Sequence, residues 1–255
     1  MRHYILALLV QFLVSASVMA NEIPTPKEQT HFVFVTIANS VFTELCGRIL
    51  EEAYASLGYT ITIKFVPGNR SSYMSSNGEF DGDVARVEPV GRLYKDLVMV
   101  DVPFVDLETY LFARKPELIN RDLATLRLGM LRGVVYNERI TSGLDPVYAK
   151  NAPQLLNLLM LERVDAVILS GFSGDLEIAR NYPDGEFIKK LPALYSIPMY
   201  HYLHRNHVAL VPKIAAALRQ MLESGRIGEI KSDVQRSKLL SPPHSPSPSH
   251  TRSSQ

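Results

Sequence analysis

Hydrophobic residues along this chain switch between two periods, and the switches outline alternating strands and helices. Over residues 59–66, Tyr59, Ile61, Ile63 and Phe65 alternate with Thr60, Thr62 and Lys64, the period of two that a strand imposes. Ahead of it, residues 31–38 (HFVFVTIA) read as a buried strand. Residues 41–57 read as a helix, with Leu45, Ile49, Ala53 and Leu57 at four-residue spacing, Asn39 and Ser40 as caps and Gly58 at its end. Pro67, Gly68 and Asn69 break the second strand, and a short polar helix from Arg70 stops at Asn77 and Gly78. Residues 83–87 form the next strand. Strand, helix, strand, helix, strand predicts a parallel α/β sheet.

A second series follows an extended segment at 110–114. It contains a strand at 126–131, a turn at Arg132-Gly133 opening a helix-permitting run, a helix at 152–162 and an apolar strand at 164–169. A helix at 173–181 and a short strand at 187–190 complete it. Residues 199–204 are strand-like again. An amphipathic helix at 212–225 turns Ile214, Ala217, Leu218 and Met221 inward, and a last helical piece runs from 227 to about 235. There is no internal repeat. Two α/β halves joined by extended segments near Tyr110 and Tyr200 predict two lobes with a cleft between them, a preferred place for a small ligand.

The two ends differ from this pattern. Arg2 and His3 precede an apolar run over 4–14 and a small-residue region ending Val18-Met19-Ala20, which reads as a signal peptide over 1–20 cleaved after Ala20. The run is short of the ~20 residues a spanning helix needs. Export to the periplasm is therefore expected. Residues 239–255 (LLSPPHSPSPSHTRSSQ) read as a disordered Ser/Pro-rich tail. The formal charge of +1 and the lack of a long basic run give no electrostatic footprint for nucleic acid, so a small-molecule or protein partner is expected. Cys46, the single cysteine, lies among Phe42, Leu45, Ile49 and Leu50 and reads as a buried structural thiol.

The candidate chemistry collects at strand ends, because ligands of open α/β sheets sit outside the carboxyl ends of their strands. Arg86 stands there and can hold a carboxylate through two parallel hydrogen bonds, against the alternative of an ion pair with Asp81, Asp83 or Glu88. Arg70 opposes the dipole of the helix it starts, which points to a cleft role or to a solvated turn. Arg132 stands beside Gly133, where backbone N–H groups at a helix start can also hold an anion. Asn39 is both a cap and a candidate ligand contact; Phe42, Tyr73, Phe104 and Phe172 read first as core residues, and Phe172 is retained as a candidate ligand platform because it directly follows a strand end. His201, His204 and His207 do not share a face on either a strand or a helix, so no metal site is expected. No Gly-x-Ser-x-Gly elbow is present, and Glu79, Asp81 and Asp83 read as turn or surface carboxylates.

The order of GEFDGDVARV, LRLGMLRG, ERVDAVILS and YHYLHRNHVALVPKIAAALRQMLESGRIGEI resembles the periplasmic solute-binding protein family 3, with the type II periplasmic-binding-protein fold. The resemblance covers nearly all of the chain after the signal peptide. It implies a discontinuous first lobe over 30–112 plus 201–238, a second lobe over 113–200, and hinge closure over a small ligand, read by an ABC permease or a membrane sensor. It implies a monomer that needs no cofactor. The family's carboxylate-binding arginine corresponds to Arg86 or Arg92. Two positions depart from the pattern: Val134 and Val135 stand where hydroxyls are usual, and Ser170 where an aspartate often meets an amino group. The implied ligand is thus a small anion or zwitterion, and not an ordinary α-amino acid. Some relatives are periplasmic enzymes of dehydratase or peptidoglycan-cleaving type, the alternative reading.

Overall fold

The computed structural model describes residues 29–37, 40–66, 70–132 and 134–240. The expected signal peptide, the segment after Leu240, Asn39 and Gly133 lie outside the described residues. The first half runs β1 (His31–Ile37), α1 (Val41–Ala55), β2 (Thr60–Val66), α2 (Arg70–Ser76), β3 (Gly82–Arg86), α3 (Val90–Leu93) and β4 (Leu97–Met99). The second half runs β5 (Val105–Ala113), β6 (Leu128–Leu131), α4 (Val135–Ile140), β7 (Val147–Ala149), α5 (Ala152–Met160), β8 (Ala166–Ser170), α6 (Gly171–Asn181) and β9 (Ile188–Lys189). β10 (Tyr195–His204), α7 (Val211–Glu223) and α8 (Arg226–Leu240) close the chain.

The strands form one mixed sheet in the order β2-β1-β3-β10-β5-β8-β6-β7, with β4 also on β10 and β9 on β5. β1, β2 and β3 are parallel, as are β6, β7 and β8, and each set arises from strand–helix–strand crossovers. β10 joins the halves: its residues 195–199 pair with β5, whereas Tyr200 pairs with β3 and Tyr202 to His204 pair with β3 and β4. Phe32 and Phe34 of β1 pack with Leu45, Ile49 and Tyr54 of α1, and with Ile214 and Leu218 of α7 and Ile230 of α8. The chain's last helices therefore complete the core of its first sheet. In the second half, Phe112, Leu155, Leu159 and Val167 fill one face and Leu111, Met130 and Ile168 the other.

Several boundaries differ from the sequence reading for physical reasons. β5 starts at Val105 because it alternates exposed and half-buried residues, including Asp106 and Glu108, before reaching the apolar part. β10 starts at Tyr195 and carries Pro198 in the part that bridges the halves. β4 and β7 have three residues each, too few for a periodic signal. α8 continues through Leu240, where Lys238 pairs with Glu44 of α1, so Leu239 and Leu240 are helical. The short helix α2 ends as expected, with Gly78 at φ 76° in the left-handed region that glycine tolerates.

One irregularity shapes the first half. Tyr200 lies opposite Arg86 and Tyr202 opposite Asp83, so Val84 and Ala85 of β3 together face His201 alone. This is a β-bulge, with two residues on one strand against one on its neighbour.

Candidate functional site

In a regular strand, Asp83 and Arg86 would point to opposite faces. The bulge adds a residue between them and brings both to one side, where Arg86 Nε lies 2.9 Å from Asp83 Oδ2. All five residues of β3 are buried, the two charged ones included. Arg86 Nε is also 3.1 Å from Ser72 Oγ, Nη1 donates to the Ala85 carbonyl at 2.8 Å, and Nη2 donates to the Ser71 hydroxyl. Ser72 Oγ in turn donates to Asp83 Oδ2 at 2.9 Å. Ser71, Ser72 and Ser75 of the short polar helix turn their hydroxyls toward β3. Burial raises the Asp83 carboxyl above the usual carboxylate range, against the pull of Arg86, Ser72 and Ser71.

A guanidinium has five N–H donors. Three are used here, leaving one on Nη1 and one on Nη2 without a partner among the described residues. Arg86 thus takes up the ion pair with Asp83 that the sequence offered as an alternative, and keeps donors on both terminal nitrogens. Tyr200, half-buried, stands opposite Arg86 on the same face.

Behind this face His201 is fully buried. Its Nδ1 lies 3.0 Å from the Asp83 carbonyl and 3.3 Å from that of Val84, and its Nε2 3.0 Å from the Tyr54 hydroxyl. Carbonyls only accept, so Nδ1 carries the hydrogen and Nε2 accepts from Tyr54. Burial lowers the imidazole pKa to about 4. His207 pairs with Asp81 at 2.7 Å, and among the described residues no group of three or more His, Cys, Asp or Glu side chains could hold a metal ion. Cys46 is buried, and burial pushes its thiol pKa up.

The other predicted residues are dispersed. Arg92 is exposed on α3 and bonded to Glu88, with Nη2 2.8 and 2.9 Å from its two carboxylate oxygens. Arg70 is exposed at the start of α2. Arg132 is exposed at the end of β6, its guanidinium carbon 5.0 Å from the centre of the Tyr148 ring. Ser170 ends β8 and caps α6, its hydroxyl accepting from Ser173 N at 3.3 Å. Phe172 takes the core role and not that of a platform: it is 8% exposed and belongs to the hydrophobic core of the first half. A ring held there has little face left for a ligand.

A polar row that the sequence did not reveal begins at Ser170. Ser170, Thr109 and Tyr195 are register partners across β8, β5 and β10, so their side chains share one face. Tyr195 donates to Asn137 Oδ1 of α4 at 2.5 Å, and its phenol is raised by burial and pulled back by a hydrogen bond from Thr109. Asn137 is buried. The signal was too sparse to find, since these polar residues come from four separate elements. Two concavities around Arg114, of about 20 and 460 Å³, share no residue with this row or with Arg86.

The sequence matches no family model. It is 24% identical over 223 residues to an uncharacterized protein of Shewanella oneidensis, covering 83% of this chain and 80% of that protein. The GluR0 ligand-binding core in complex with L-glutamate superposes with a TM-score of 0.68 at 14% identity, covering 80% of this chain and 98% of that one. AbpA, an amino acid ABC transporter substrate-binding protein of Streptococcus pneumoniae bound to L-arginine, gives 0.64 at 14% identity, over 84% and 98%. A histidine kinase sensor domain with similarity to periplasmic binding proteins gives 0.64 at 14%, over 82% and 97%. The chain therefore has the two-lobed type II periplasmic-binding-protein fold, with a central cleft and hinge strands. At the level of fold, the resemblance to solute-binding protein family 3 is borne out. Among the described residues, no helix is long and apolar enough to cross a membrane.

Proposed function

We propose that this chain is an exported, periplasmic, non-enzymatic solute-binding protein that captures a small anionic or zwitterionic molecule between its lobes. The observation that carries this reading is the Arg86 guanidinium, buried at the carboxyl end of β3 and fixed on one side, with a donor left on each terminal nitrogen. A carboxylate is the group whose two oxygens match such a fork. Arg86, rather than the exposed Arg92 paired to Glu88, is then the anion clamp. Ser170, Thr109, Tyr195 and Asn137 form the opposing wall, and Arg132 and Arg70 contribute charge at its rim. L-glutamate and L-arginine, held by two proteins of this fold, both carry a carboxylate of this kind.

In this reading the lobes divide where the sheet changes partners, at Phe104–Val105 and Met199–Tyr200, with β5 in the second lobe instead of the first. Closure of a monomer about β5 and β10 presents the liganded form to an ABC-type importer or to a sensor.

The test is calorimetry with the strongest binder from a thermal-shift screen of amino acids and organic acids. Arg86→Ala would strand the buried Asp83 charge, so Arg86→Lys is the informative variant: it keeps the charge and loses the fork. Affinity should fall roughly 10- to 100-fold. Unchanged affinity in Arg86→Lys would remove Arg86 from the site.

A further inference from the structure

We infer that Asp83 balances the charge of the Arg86 clamp as well as aiming it, so that the site takes up a ligand carboxylate together with a proton. The inference rests on Arg86 being the clamp. Asp83 is completely buried, and its Oδ2 receives both Arg86 Nε and Ser72 Oγ. Its Oδ1 is equally buried and has no hydrogen-bond partner among the described residues. In the unliganded site one cation faces one anion. A bound carboxylate would be a second anion on the same guanidinium, and an unbalanced charge away from water is strongly disfavoured. A proton on Oδ1 removes that excess. Oδ2 remains an acceptor for Nε and Ser72, so the guanidinium keeps its aim.

Among the described residues packed against the pair, no second cation is buried with Arg86, and the rim arginines Arg70 and Arg132 are exposed to solvent. α2 presents the hydroxyls of Ser71 and Ser72, while its Arg70 and Tyr73 are exposed. β1 contributes Val35 beside Asp83 and the Thr36 hydroxyl, which do not titrate. β10 contributes Tyr202, across the pair from Asp83, and His201, whose ring binds the Asp83 carbonyl. From α1 come Tyr54, bonded to His201, and Cys46, which lies within the field of Arg86. None of these adds a second cation near neutral pH. The upward displacement of the Asp83 carboxyl by burial agrees with a group poised to take a proton.

The probe is pyruvate, a monocarboxylate that stays ionised from about pH 7.5 down to about pH 5. The chain is labelled with carbon-13 at aspartate carboxyls and nitrogen-15 at arginine guanidinium groups, and followed by NMR as pH is lowered. The expected result is that pyruvate shifts the Arg86 nitrogen signals and raises the Asp83 titration midpoint. Arg86 signals that respond while the Asp83 midpoint stays fixed would overturn the proton linkage and leave the clamp intact. If neither responds, both fail.

Asp83→Asn separates charge from support. A merely structural Asp83 predicts weaker pyruvate binding in this variant. The charge-balancing role predicts binding tighter by roughly tenfold near pH 7.5, with the pH dependence abolished. Should the variant not fold, the titration of the native chain decides alone.

Discussion

His201 is a histidine in the role of a core residue. Its ring stands perpendicular to that of Phe34, with centres 4.8 Å apart, and both nitrogens are bonded inside the fold. Because its pKa is about 4 when folded against an ordinary 6.5, the unfolded chain takes up a proton in that interval which the folded chain refuses. Its contribution is fully present above about pH 6.5 and is lost as pH falls toward 4, with a size of roughly 3 kcal/mol. Asp83 acts in the opposite sense, since protonation relieves its buried charge. Comparing native protein with His201→Gln isolates the histidine: urea unfolding at several pH values should show a steeper acid loss in the native chain. Equal slopes would contradict the buried neutral ring. The sequence made the position of Arg86 legible through the order of elements around it. It did not make Asp83 legible as the partner, because simple alternation places residues three apart on opposite faces, and only the bulge reverses that.

The bulge in turn depends on how closely β3 and β10 approach. A Cβ on Gly82 would lie 2.1 Å from the Tyr202 carbonyl oxygen and 3.0 Å from Leu203 Cα, both backbone atoms that cannot swing away. Gly82→Ala should therefore part the strands and destabilise by about 3 kcal/mol or more, read as a lowered urea midpoint. Gly228→Ala in α8 meets nothing within 4 Å and should be neutral or stabilise by up to about 1 kcal/mol. Similar midpoints for the two variants would contradict the pairing of β3 with β10. Elements with a full period were readable from sequence: α7 buries Ile214, Ala217, Leu218 and Met221 as its spacing requires. Phe172 was not, because its role depends on α6 reaching the α1 and α8 surface of the first half, a contact between distant parts of the chain.

The molecule as a whole is two α/β halves that share β10, with β5 beside it as the second connection. That arrangement leaves β5 and β10 as the strands linking the halves, which is what the proposed closure around a ligand would use. It explains why the fold was legible from four ordered segments while the opposing wall, assembled from β5, β8, β10 and α4, was not. The most direct test is a crystal structure of the chain with the strongest carboxylate binder from the screen. The carboxylate should lie with one oxygen near each of Arg86 Nη1 and Nη2, within about 3.2 Å, and the Tyr195–Asn137 wall should close over it. A ligand seated elsewhere, with the Arg86 guanidinium touching only Asp83, Ser71, Ser72 and Ala85, would contradict it.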